Sequence, residues 1–476
     1  MRTFNQHFIN GQFVHSIGKE MQELVNPSNK KTIGRLVLGN EQDVQLAIAA
    51  AKEAFKSFAK TTVDERSQML QRLHDSIMAR EEELTRAAAE EYGSPLKPSK
   101  GRTTFAALTC LYAKEALKQF SFEKMQGTTK VILEPLGVIG AITPWNANYT
   151  HICNKIAPAI ATGCTIVVKP SELSGLQTHL LMECIADAKL PAGVVNIVNG
   201  TGQVVGAELV RHPDIAKISF TGSTPVGKII SKDASDTLKR LALELGGKNP
   251  NIILDDADFS KAIPMAIAIG FSNTGQACHA GTRLLVPENR LDEVKKLIKQ
   301  AVASTKIGNP MDEDSILGPL VSQKQYDTVQ RYIQAGIDEG AELIVGGLGH
   351  PEGLDEGFYA KPTVFAHVTN DMKIAKEEIF GPVLSVISYR TEEEAINIAN
   401  DTVFGLAAYV SSSDMERARR VASQIIAGRI LINKAVQDDP FAPFGGFKQS
   451  GLGRDSGVYG LEEHVEPKAI LGYEVH

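Results

Sequence analysis

VIGAIT (138–143) is the first of four apolar segments that decide the fold; CTIVVKP (164–170), VVNIV (194–198) and KISFTG (217–222) follow it. Each has the length of a buried strand, and the stretches between them have a helical pattern. Strands that alternate with helices predict right-handed crossovers and a buried parallel sheet. Ligands of such sheets bind beyond the carboxyl ends of the strands, so we expect the functional residues there.

A second series of strands and helices follows residue 250. Its strand candidates are RLLV (283–286), AELIV (341–345), VLSVIS (383–388), LAAYVS (406–411) and RILIN (429–433). Two such series predict two α/β domains with a cleft between them, where active sites often lie. The strand-like tail KAILGY (468–473) is expected to pair with the 120–133 region or with another chain.

The segment that precedes the first sheet is mostly helical in pattern. Residues 4–14 predict a strand pair about a turn at Asn10 and Gly11. Four helices are then expected: after an N-cap at Asn40, over about 64–80, up to Tyr92, and over about 101–119. Pro95 and Pro98 predict a break before the last of these helices.

Composition bounds the class of protein. The 476 residues are 43% hydrophobic and 22% charged, which is typical of a soluble globular chain. The net charge of -6 gives no indication of binding to nucleic acid or to an anionic membrane. Apolar runs are too short to span a bilayer, and the N-terminus lacks a signal-peptide pattern. The five cysteines form no CxxC pair, which indicates a reduced, cytoplasmic protein.

One cysteine lies in unusually small surroundings. Cys278, in FSNTGQACHAGTR (271–283), is flanked by Gly275, Ala277, Ala280 and Gly281. A nucleophilic cysteine needs space for a substrate and backbone N–H groups that lower its pKa. Taken alone, the segment is more typical of a small core residue on a helix.

Three glycine-rich turns follow or precede helices. TGSTPVGK (221–228) resembles a phosphate loop, but Ile229 stands where such a loop has Ser or Thr for magnesium, which excludes an ATPase loop. A glycine turn between a strand and a helix still favours a nucleotide pyrophosphate. GTGQVVG (200–206) and GLGRDSG (451–457) have one residue too many for GxGxxG, and each alone is better explained as a helix entry turn.

Polar residues follow several strands. Lys169 and Glu172 come just past a strand, where a carboxylate can accept the ribose hydroxyls of NAD and repel the extra phosphate of NADP. The alternative is a helix capped by Ser171 with Glu172 in its first turn. The chain has no GxSxG elbow and no HExxH motif, and its eleven histidines form no ligand-spaced cluster, so no catalytic metal is expected.

Three more polar residues suggest catalysis. Asn146 follows Pro144 and the only tryptophan, and an amide at a strand end can donate to a developing oxyanion. Glu244 lies in an apolar strand before two glycines, where burial would raise its pKa toward that of a general base. Glu378 precedes the turn IFGP. When each residue is taken singly, a cap, a turn or a satisfied polar group is the favoured explanation.

Together these pieces strongly resemble the aldehyde dehydrogenase superfamily, and specifically its NAD(P)-dependent, hydrolytic, non-acylating type. The resemblance covers nearly the whole chain and keeps the family order. The matching pieces are PWN (144–146), KPSE (169–172), FTGS (220–223), ELGG (244–247), GQAC (275–278), EEIFGP (377–382) and PFGGFKQSGLGR (443–454).

The resemblance implies catalytic roles. Cys278 would attack the aldehyde as a thiolate, and Asn146 with the backbone N–H of Cys278 would stabilise the oxyanion. Glu244 would activate the water that hydrolyses the thioester. Lys155 and Asp455 match a polar relay behind this base, although most relatives carry Glu where Asp455 stands.

The resemblance also implies the cofactor site and the architecture. The cofactor would be NAD, with NADP less favoured, and the matching positions are Thr143, Pro144, Trp145, Lys169, Glu172, Gly202, Phe220, Gly222, Ser223, Leu245, Glu378 and Phe380. The expected fold is α/β: a Rossmann-like cofactor-binding domain, an α/β catalytic domain and a small β-hairpin oligomerisation element. Their expected ranges are 1–118 with 136–246, 247–445, and 119–135 with 465–476. The oligomer would be a homodimer or homotetramer, with Glu466 at its interface.

The positions at the mouth of the site predict the substrate. In well-known fatty-aldehyde and acetaldehyde enzymes, large aromatic residues line the access tunnel. The positions that correspond here are Ala147, Tyr149, Thr150, Asn154, Ser272, Ala277, His279, Asp438 and Phe444. Such a tunnel is wider and more polar, so we expect a polar aldehyde, or a broad range of aldehydes, rather than a long alkyl one.

Two other functions compete with hydrolytic oxidation. An acylating relative would transfer the acyl group of the thioester to coenzyme A. Glu244 argues against this function, because it would activate water to hydrolyse the thioester first. A catalytically silent oligomeric scaffold would not be expected to retain Cys278, Asn146 and Glu244 together.

Overall fold

The computed structural model describes residues 2–435 and 439–474. The fold is α/β, with parallel strands at the centre of its two large sheets, as the alternation of segments predicts. In chain order the strands are β1 (Arg2–Phe4), β2 (Gln6–Ile9), β3 (Gln12–His15), β4 (Met21–Val25), β5 (Thr32–Val37), β6 (Glu123–Gln126), β7 (Thr129–Pro135), β8 (Val138–Ile142), β9 (Thr165–Lys169), β10 (Val195–Ile197), β11 (Ile215–Thr221), β12 (Arg240–Glu244), β13 (Pro250–Ile253), β14 (Arg283–Pro287), β15 (Glu342–Val345), β16 (Thr363–Ala366), β17 (Val383–Tyr389), β18 (Ala407–Ser411), β19 (Arg429–Ile432), β20 (Gly451–Leu452) and β21 (Val465–Ile470).

The α-helices connect these strands and cover the sheets. In chain order they are α1 (Glu41–Phe58), α2 (Val63–Met78), α3 (Glu81–Glu91), α4 (Leu96–Gln119), α5 (Asn148–Thr162), α6 (Gly175–Asp187), α7 (Ala207–Arg211), α8 (Thr224–Ala234), α9 (Phe259–Gly270), α10 (Leu291–Ala303), α11 (Gln323–Asp338), α12 (Lys373–Lys376), α13 (Glu392–Asn400), α14 (Met415–Ala422) and α15 (Gly457–Glu462).

The first large sheet contains the four segments that decide the fold. Its order is β20-β12-β11-β8-β9-β10-β2-β3, and β12, β11, β8, β9 and β10 run parallel. Antiparallel strands close both edges, with β20 on β12 and the β2–β3 hairpin on β10. The carboxyl ends of β8, β9, β11 and β12 therefore lie along one edge of the sheet.

The second large sheet has the order β15-β16-β17-β14-β13-β18-β19. All its pairings are parallel except that of β15 with β16. The five strand candidates after residue 250 are all strands of this sheet. Each large sheet is packed on both faces by its own apolar clusters, so the chain forms two α/β units.

Two three-stranded sheets complete the fold. One has the order β1-β5-β4, and the other has the order β21-β7-β6. The tail strand pairs with the 120–133 region of its own chain, which was one of the two alternatives, in a register that runs from Val465 opposite Pro135 to Ile470 opposite Lys130. All four residues of β6 are exposed.

The local signals near the N-terminus have the expected outcomes, with one exception. Asn10 and Gly11 both have positive φ, as a tight hairpin turn requires, and Asn40 caps α1 by accepting from the backbone N–H of Asp43. The predicted break through Pro98 is wrong, because α4 begins at Leu96. A proline is tolerated in the first helical turn, where its missing N–H has no intrahelical acceptor.

Candidate active site

The segment that leads to Cys278 is a strained turn. After α9, Asn273, Thr274 and Gly275 have φ values of 56°, 57° and 71°. A Cβ atom at Gly275 would overlap the carbonyl oxygen of Gly381, so only glycine fits there. The turn places Cys278 on a loop in which it is partly accessible, unlike the other four cysteines, which are buried.

Hydrogen bonds from distant parts of the chain fix this loop. The Asn249 side-chain amide donates to the carbonyl oxygens of Cys278, at 2.8 Å, and Ala280, at 2.9 Å. The side-chain oxygen of Gln276 accepts from the backbone N–H of Val321 at 3.0 Å. Neither Asn249 nor Gln276 was singled out from the sequence, although Asn249 is the second residue after ELGG and Gln276 lies within GQAC.

Asn146 lies against the cysteine loop, as predicted. Its side-chain amide donates to the carbonyl oxygen of Gln276 at 3.0 Å, and its backbone carbonyl accepts from the Asn273 side chain at 3.0 Å. A side-chain NH₂ group has two hydrogens. One hydrogen holds the amide in place and the second remains for an oxyanion beside Cys278.

Glu244 is the last residue of β12 and is buried at the sheet edge. Its Oε2 atom has no hydrogen-bond partner among the described residues. Burial first, and then the negative charge of Asp455, raises the pKa of Glu244 well above its usual value, while Lys155, Arg454 and Arg429 oppose the rise. A carboxylate whose pKa is raised in this way binds a proton more strongly than an ordinary glutamate does.

The pKa of the Cys278 thiol is also raised, to about 12. Burial is the main cause, and the negative charges of Glu378 and Glu244 add to it. The backbone N–H groups of Cys278 and His279 act in the opposite direction. Without further ligands the thiol is therefore protonated at neutral pH.

The predicted relay behind Glu244 is not hydrogen-bonded in this structure. Lys155 is buried and donates to the Ser219 hydroxyl at 2.9 Å. Asp455 exchanges backbone hydrogen bonds with Phe444, at 2.9 Å and 2.7 Å. Both charges act on the pKa of Glu244, so they lie near it. The side chain of Asp455 is one methylene shorter than the Glu of most relatives.

The carboxyl end of β9 holds a buried cation and a more exposed acid. The Lys169 ammonium donates to Glu172 at 3.2 Å and to the carbonyl oxygen of Gly200 at 2.9 Å. The alternative reading of a helix capped by Ser171 is wrong, because α6 begins at Gly175.

Glu91 of α3 supplies the missing cap of α6. Its carboxylate accepts from the backbone N–H groups of Leu176, at 2.7 Å, and Gln177, at 2.9 Å. Glu172 is therefore not needed for capping, and the only polar partner of its side chain among the described residues is Lys169, in an ion pair.

The N-terminus of α8 opens at the same edge. Ser223 occupies its N-cap position, yet its hydroxyl makes no capping hydrogen bond, so the first N–H groups of the helix and this hydroxyl are open to an anion. Gly222 precedes it over the Phe220 ring, and the buried Thr143 hydroxyl has no partner among the described residues. Gly202, in the π-helical turn Gly202–Gly206, has no atom within 4 Å of the place of a Cβ.

Glu378 reaches the ELGG turn from the second unit. It accepts from the backbone N–H of Gly247 at 3.2 Å, and a Cβ at Gly246 would overlap its carboxylate. Burial raises the pKa of Glu378 to about 7, while the Gly247 N–H and Lys248 oppose the rise. On the opposite side of the same turn, Leu245 packs against Gly227 of α8.

An aromatic pair borders this part of the cleft. Trp145, which follows Pro144, meets the Phe380 ring edge-to-face, with the ring centroids 5.5 Å apart. Phe380 has a φ of 58°, and the side chain of Gln325 holds it by donating to its carbonyl oxygen at 2.8 Å. The predicted cofactor residues thus come from both units, and Glu378 of the second unit contacts the turn that follows β12 of the first.

The predicted substrate residues do not all lie together. His279 is exposed at the opening beside Cys278, and Ala277 is buried next to it. Asn154 lines an open pocket between α4, α5 and α15 that does not include Cys278. Tyr149 is buried in the core and its hydroxyl donates to the Leu84 carbonyl at 3.1 Å, so its predicted contact with substrate is wrong. Asp438 lies outside the described residues.

Two arginines that sequence reasoning missed lie at this opening. The Arg429 guanidinium stacks over the Phe444 ring, with its central carbon 4.8 Å from the ring centroid. Arg102 of α4 is half-buried, and its carbonyl oxygen accepts from the Thr150 hydroxyl at 3.4 Å. Desolvation in the cleft and then the charges of Arg429 and Arg102 lower the pKa of His279 to about 4, although the residue remains accessible to solvent.

Other kinds of site are not found in the described part of the chain. Residues 2–435 and 439–474 contain no group of three or more His, Cys, Asp or Glu side chains that could hold a metal ion. In the same residues, every helix is too short or too polar to cross a membrane.

Comparison with known proteins identifies the class. The profile of the aldehyde dehydrogenase family matches residues 13–470, and the chain belongs to this family. The chain is therefore an oxidoreductase enzyme, in agreement with the resemblance drawn from its motifs.

Several relatives span the full length of the chain. A 3-succinoylsemialdehyde-pyridine dehydrogenase of a Pseudomonas species is 45% identical, with 100% of both chains covered. A solved structure of aldehyde dehydrogenase C of Pseudomonas syringae, a Cys-to-Ala mutant in complex with NAD+ and octanal, is 44% identical with a TM-score of 0.97, covering 99% of this chain and 97% of the other. Betaine aldehyde dehydrogenase of Staphylococcus aureus in complex with NAD+ is 36% identical with a TM-score of 0.96, covering 99% and 96%.

Proposed function

We propose that the protein oxidises an aldehyde to a carboxylic acid with NAD, through a covalent intermediate on Cys278. The observation that carries this proposal is the convergence of three groups on one cleft. A partly accessible cysteine lies on a fixed loop, the Asn146 amide is held against that loop, and the base Glu244 is buried beside it. Nucleophile, oxyanion donor and base are the parts that acyl chemistry requires.

In the first half-reaction the Cys278 sulfur bonds to the aldehyde carbon. The thiol loses its proton, and the carbonyl oxygen becomes an oxyanion that the free N–H of Asn146 and the backbone N–H of Cys278 stabilise. Bound NAD accepts the hydride that leaves the former aldehyde carbon. The oxyanion re-forms a C=O bond, which leaves a thioester on Cys278.

In the second half-reaction Glu244 takes a proton from water. The resulting hydroxide attacks the thioester carbon, the C–S bond breaks, and a carboxylic acid and the Cys278 thiolate are formed. Asp455 is proposed to favour the protonated form of Glu244 by its negative charge, and Lys155 to favour release of the proton toward solvent.

The cofactor is proposed to lie along the carboxyl edge of the first sheet. Lys169 and Glu172 would hold the adenosine ribose, and Ser223 with the N-terminus of α8 would hold the pyrophosphate. Glu378 and Phe380 would border the nicotinamide ribose and ring. Glu172 favours NAD because its carboxylate repels the 2′-phosphate of NADP.

The remaining proposed cofactor contacts support this path. The unpartnered Thr143 hydroxyl and the open space at Gly202 fit a ligand at this edge. The cofactor would lie between turns that are formed by Pro144, Trp145, Phe220, Gly222 and Leu245. Relatives with TM-scores of 0.97 and 0.96 are NAD+ complexes, which supports the same cofactor here.

We also propose the division into domains and the assembly. Residues 1–118 with 136–246 would bind NAD, 247–445 would carry the nucleophile, and 119–135 with 465–476 would join copies into a homodimer or homotetramer. The five free cysteines favour a reducing, cytoplasmic location.

The substrate is proposed to be a polar aldehyde that enters past Ala277, His279 and Phe444, with Thr150 and Asn154 farther out. An acylating enzyme is disfavoured by Glu244, and a silent scaffold is disfavoured by the ordered site around Cys278.

The experiment is NADH formation by the purified protein over polar and alkyl aldehydes, with and without coenzyme A, and with NADP in place of NAD. We expect turnover without coenzyme A that is lost in Cys278→Ala, and a higher KM for NADP than for NAD. Turnover only with coenzyme A would contradict the hydrolytic mechanism. Equal KM values for the two cofactors would contradict the role of Glu172.

A further inference from the structure

Arg429 is the cation nearest to the reacting groups that the proposed mechanism does not use. It begins β19 and is half-buried. Its guanidinium is held flat over the Phe444 ring, which fixes its direction. Its charge acts on the pKa of Glu244, and Cys278 and Tyr409 act on the pKa of Arg429 in return. Arg429 lies opposite Ala407 in the β18–β19 pair, and Tyr409, two residues farther along β18, donates its hydroxyl to the carbonyl oxygen of His279 at 3.0 Å. The start of β19 therefore lies close to the loop that carries Cys278.

A second cation faces the same opening from the other unit. Arg102 comes from α4, and the charges of Arg102 and Arg429 both act on His279 next to Cys278. Arg102 is oriented by donating to the Ser94 hydroxyl. Two arginines from separate elements thus make the mouth of the site electropositive, although the whole chain has a net charge of -6.

Neither arginine has an acidic partner in the described part of the chain. No ion pair joins Arg429 or Arg102 to a carboxylate there, although the charges of Glu244 and Asp439 both act on the pKa of Arg429. A half-buried guanidinium retains unused donors that match a carboxylate in a bidentate geometry. The donors of these guanidinium groups are therefore available to an anionic ligand.

We propose that the substrate is an aldehyde that carries a carboxylate, and that Arg429 binds this carboxylate with the support of Arg102. The inference rests on the proposed function, since it places the aldehyde carbon at Cys278. A monoanionic carboxylate is favoured over a dianionic phosphate because Asp439 reduces the positive potential around Arg429. The chain between aldehyde and carboxylate is short, because only the β18 strand and the Tyr409 hydroxyl separate the start of β19 from the cysteine loop.

Arg429 has one competing role. Its positive charge alone could tune Cys278 and Glu244 without touching the substrate. That role would affect every aldehyde alike, whereas a binding role affects only those with an anionic group. A pair of probes that differ only in this charge separates the two roles.

The experiment compares 4-oxobutanoate with its neutral methyl ester by NADH formation. The variants are Arg429→Gln, Arg429→Lys and Arg102→Gln, with Arg419→Gln, an exposed residue of α14, as the matched control. We expect the wild type to prefer the anion, and Arg429→Gln to lower the ratio of kcat/KM values, anion over ester, by roughly 10–100-fold, mainly through KM. Arg429→Lys should restore part of this preference as a point charge, and Arg419→Gln should leave the ratio unchanged.

Two outcomes would overturn the proposal. A wild type that prefers the ester, or an equal fall for both probes in Arg429→Gln, would leave Arg429 with a tuning role only. Absence of NADH from any aldehyde in the wild type would instead overturn the proposed function itself. If Arg429→Gln fails to fold, the wild type is assayed with both probes at increasing salt concentration. The kcat/KM value should then fall for the anion and not for the ester, and an equal salt dependence for both probes would contradict the proposal.

Discussion

Cys278 illustrates how surroundings, rather than residue type, determine reactivity. It is partly accessible, and the other four cysteines are buried. Burial and two nearby carboxylates raise its pKa to about 12, so the thiolate is a minor species in the ligand-free protein. Its activation must then come from what binds beside it.

We predict that iodoacetamide labels Cys278 alone, and that in ligand-free protein the rate rises about tenfold per pH unit from pH 7 to 9, in proportion to the thiolate. The measurement is alkylation followed by intact mass, with Cys278→Ala as the control. A rate that levels off below pH 8 would show that the pKa is not raised.

Glu244 shows the opposite use of burial. Its raised pKa gives it the strength of a base, and its unpartnered Oε2 faces no competing donor among the described residues. For Glu244→Gln we expect the thioester to form and then to persist, because no group takes the proton from water.

The predicted result is a burst of NADH near one per active site, followed by a steady-state rate that is about 10²–10⁴-fold slower than the wild type. Stopped-flow absorbance measures both phases, and Glu462→Gln, on an exposed position of α15, is the control. An unchanged steady-state rate would remove Glu244 from the mechanism.

At the scale of elements, the strained turn after α9 fixes the position of the loop that carries Cys278. Gly275 combines a φ of 71° with contact against the Gly381 carbonyl. Gly349 has a φ of 83° but no atom within 4 Å of the place of a Cβ. The two positions therefore separate steric overlap from backbone strain.

We predict that Gly275→Ala lowers the free energy of unfolding by roughly 2–5 kcal/mol and abolishes most activity, because the cysteine loop must shift. Gly349→Ala should cost only roughly 1–2 kcal/mol and leave kcat unchanged. Urea unfolding and NADH formation measure both effects. Equal losses in the two variants would contradict the steric argument.

The start of α1 depends on a buried acid as well as on its cap. Asp43 accepts from the backbone N–H groups of Ile17 at 3.0 Å, Gly18 at 3.2 Å and Asn40 at 3.0 Å. Burial raises its pKa, but the hydrogen bonds to His7 and to the backbone outweigh burial and lower the pKa below its usual value. Because the folded-state pKa is lowered, the stability that Asp43 contributes is present above about pH 4 and is lost as pH falls further.

Asp43→Asn should therefore lower the free energy of unfolding by roughly 1–3 kcal/mol at pH 7, and the deficit should shrink below about pH 4. Urea unfolding across this pH range measures the deficit. Asp64→Asn, in the exposed first turn of α2, is the control and should have little effect. A deficit that grows on acidification would contradict the assigned direction of the pKa.

At the scale of the whole molecule, the sheet β21-β7-β6 has the form of an assembly surface. Its strands β6 and β21 are almost entirely exposed, and Leu471, just beyond β21, is 79% exposed. Exposed strands with apolar neighbours favour pairing between copies.

We predict that the protein sediments as a dimer or tetramer of the 51.4 kDa chain, and that deletion of residues 465–476 reduces its mass toward that of a monomer. Deletion of residues 471–476 is the control, because it retains β21 and should leave the multimer intact. Circular dichroism checks that both forms fold. A multimer that survives loss of β21 would exclude this sheet as the main interface.

The sequence by itself determined the elements and the kind of chemistry. Strand and helix periodicity is local, so the four apolar segments and the five later strands were predictable, as were the Asn10–Gly11 turn and the Asn40 cap. The glycine turns and Cys278 were recognisable because their chemistry depends on immediate neighbours.

Only the tertiary structure decided which distant groups meet. Asn249 and Gln276 hold the cysteine loop, Glu91 caps α6 from another helix, and Tyr149 turns toward Leu84 instead of the substrate. No sequence motif marks Arg429, because its proposed role depends on Phe444 and Cys278, which are distant from it in the sequence. Such contacts, and the pKa shifts that follow from them, depend on burial and on charges brought together by folding, which no window of sequence contains.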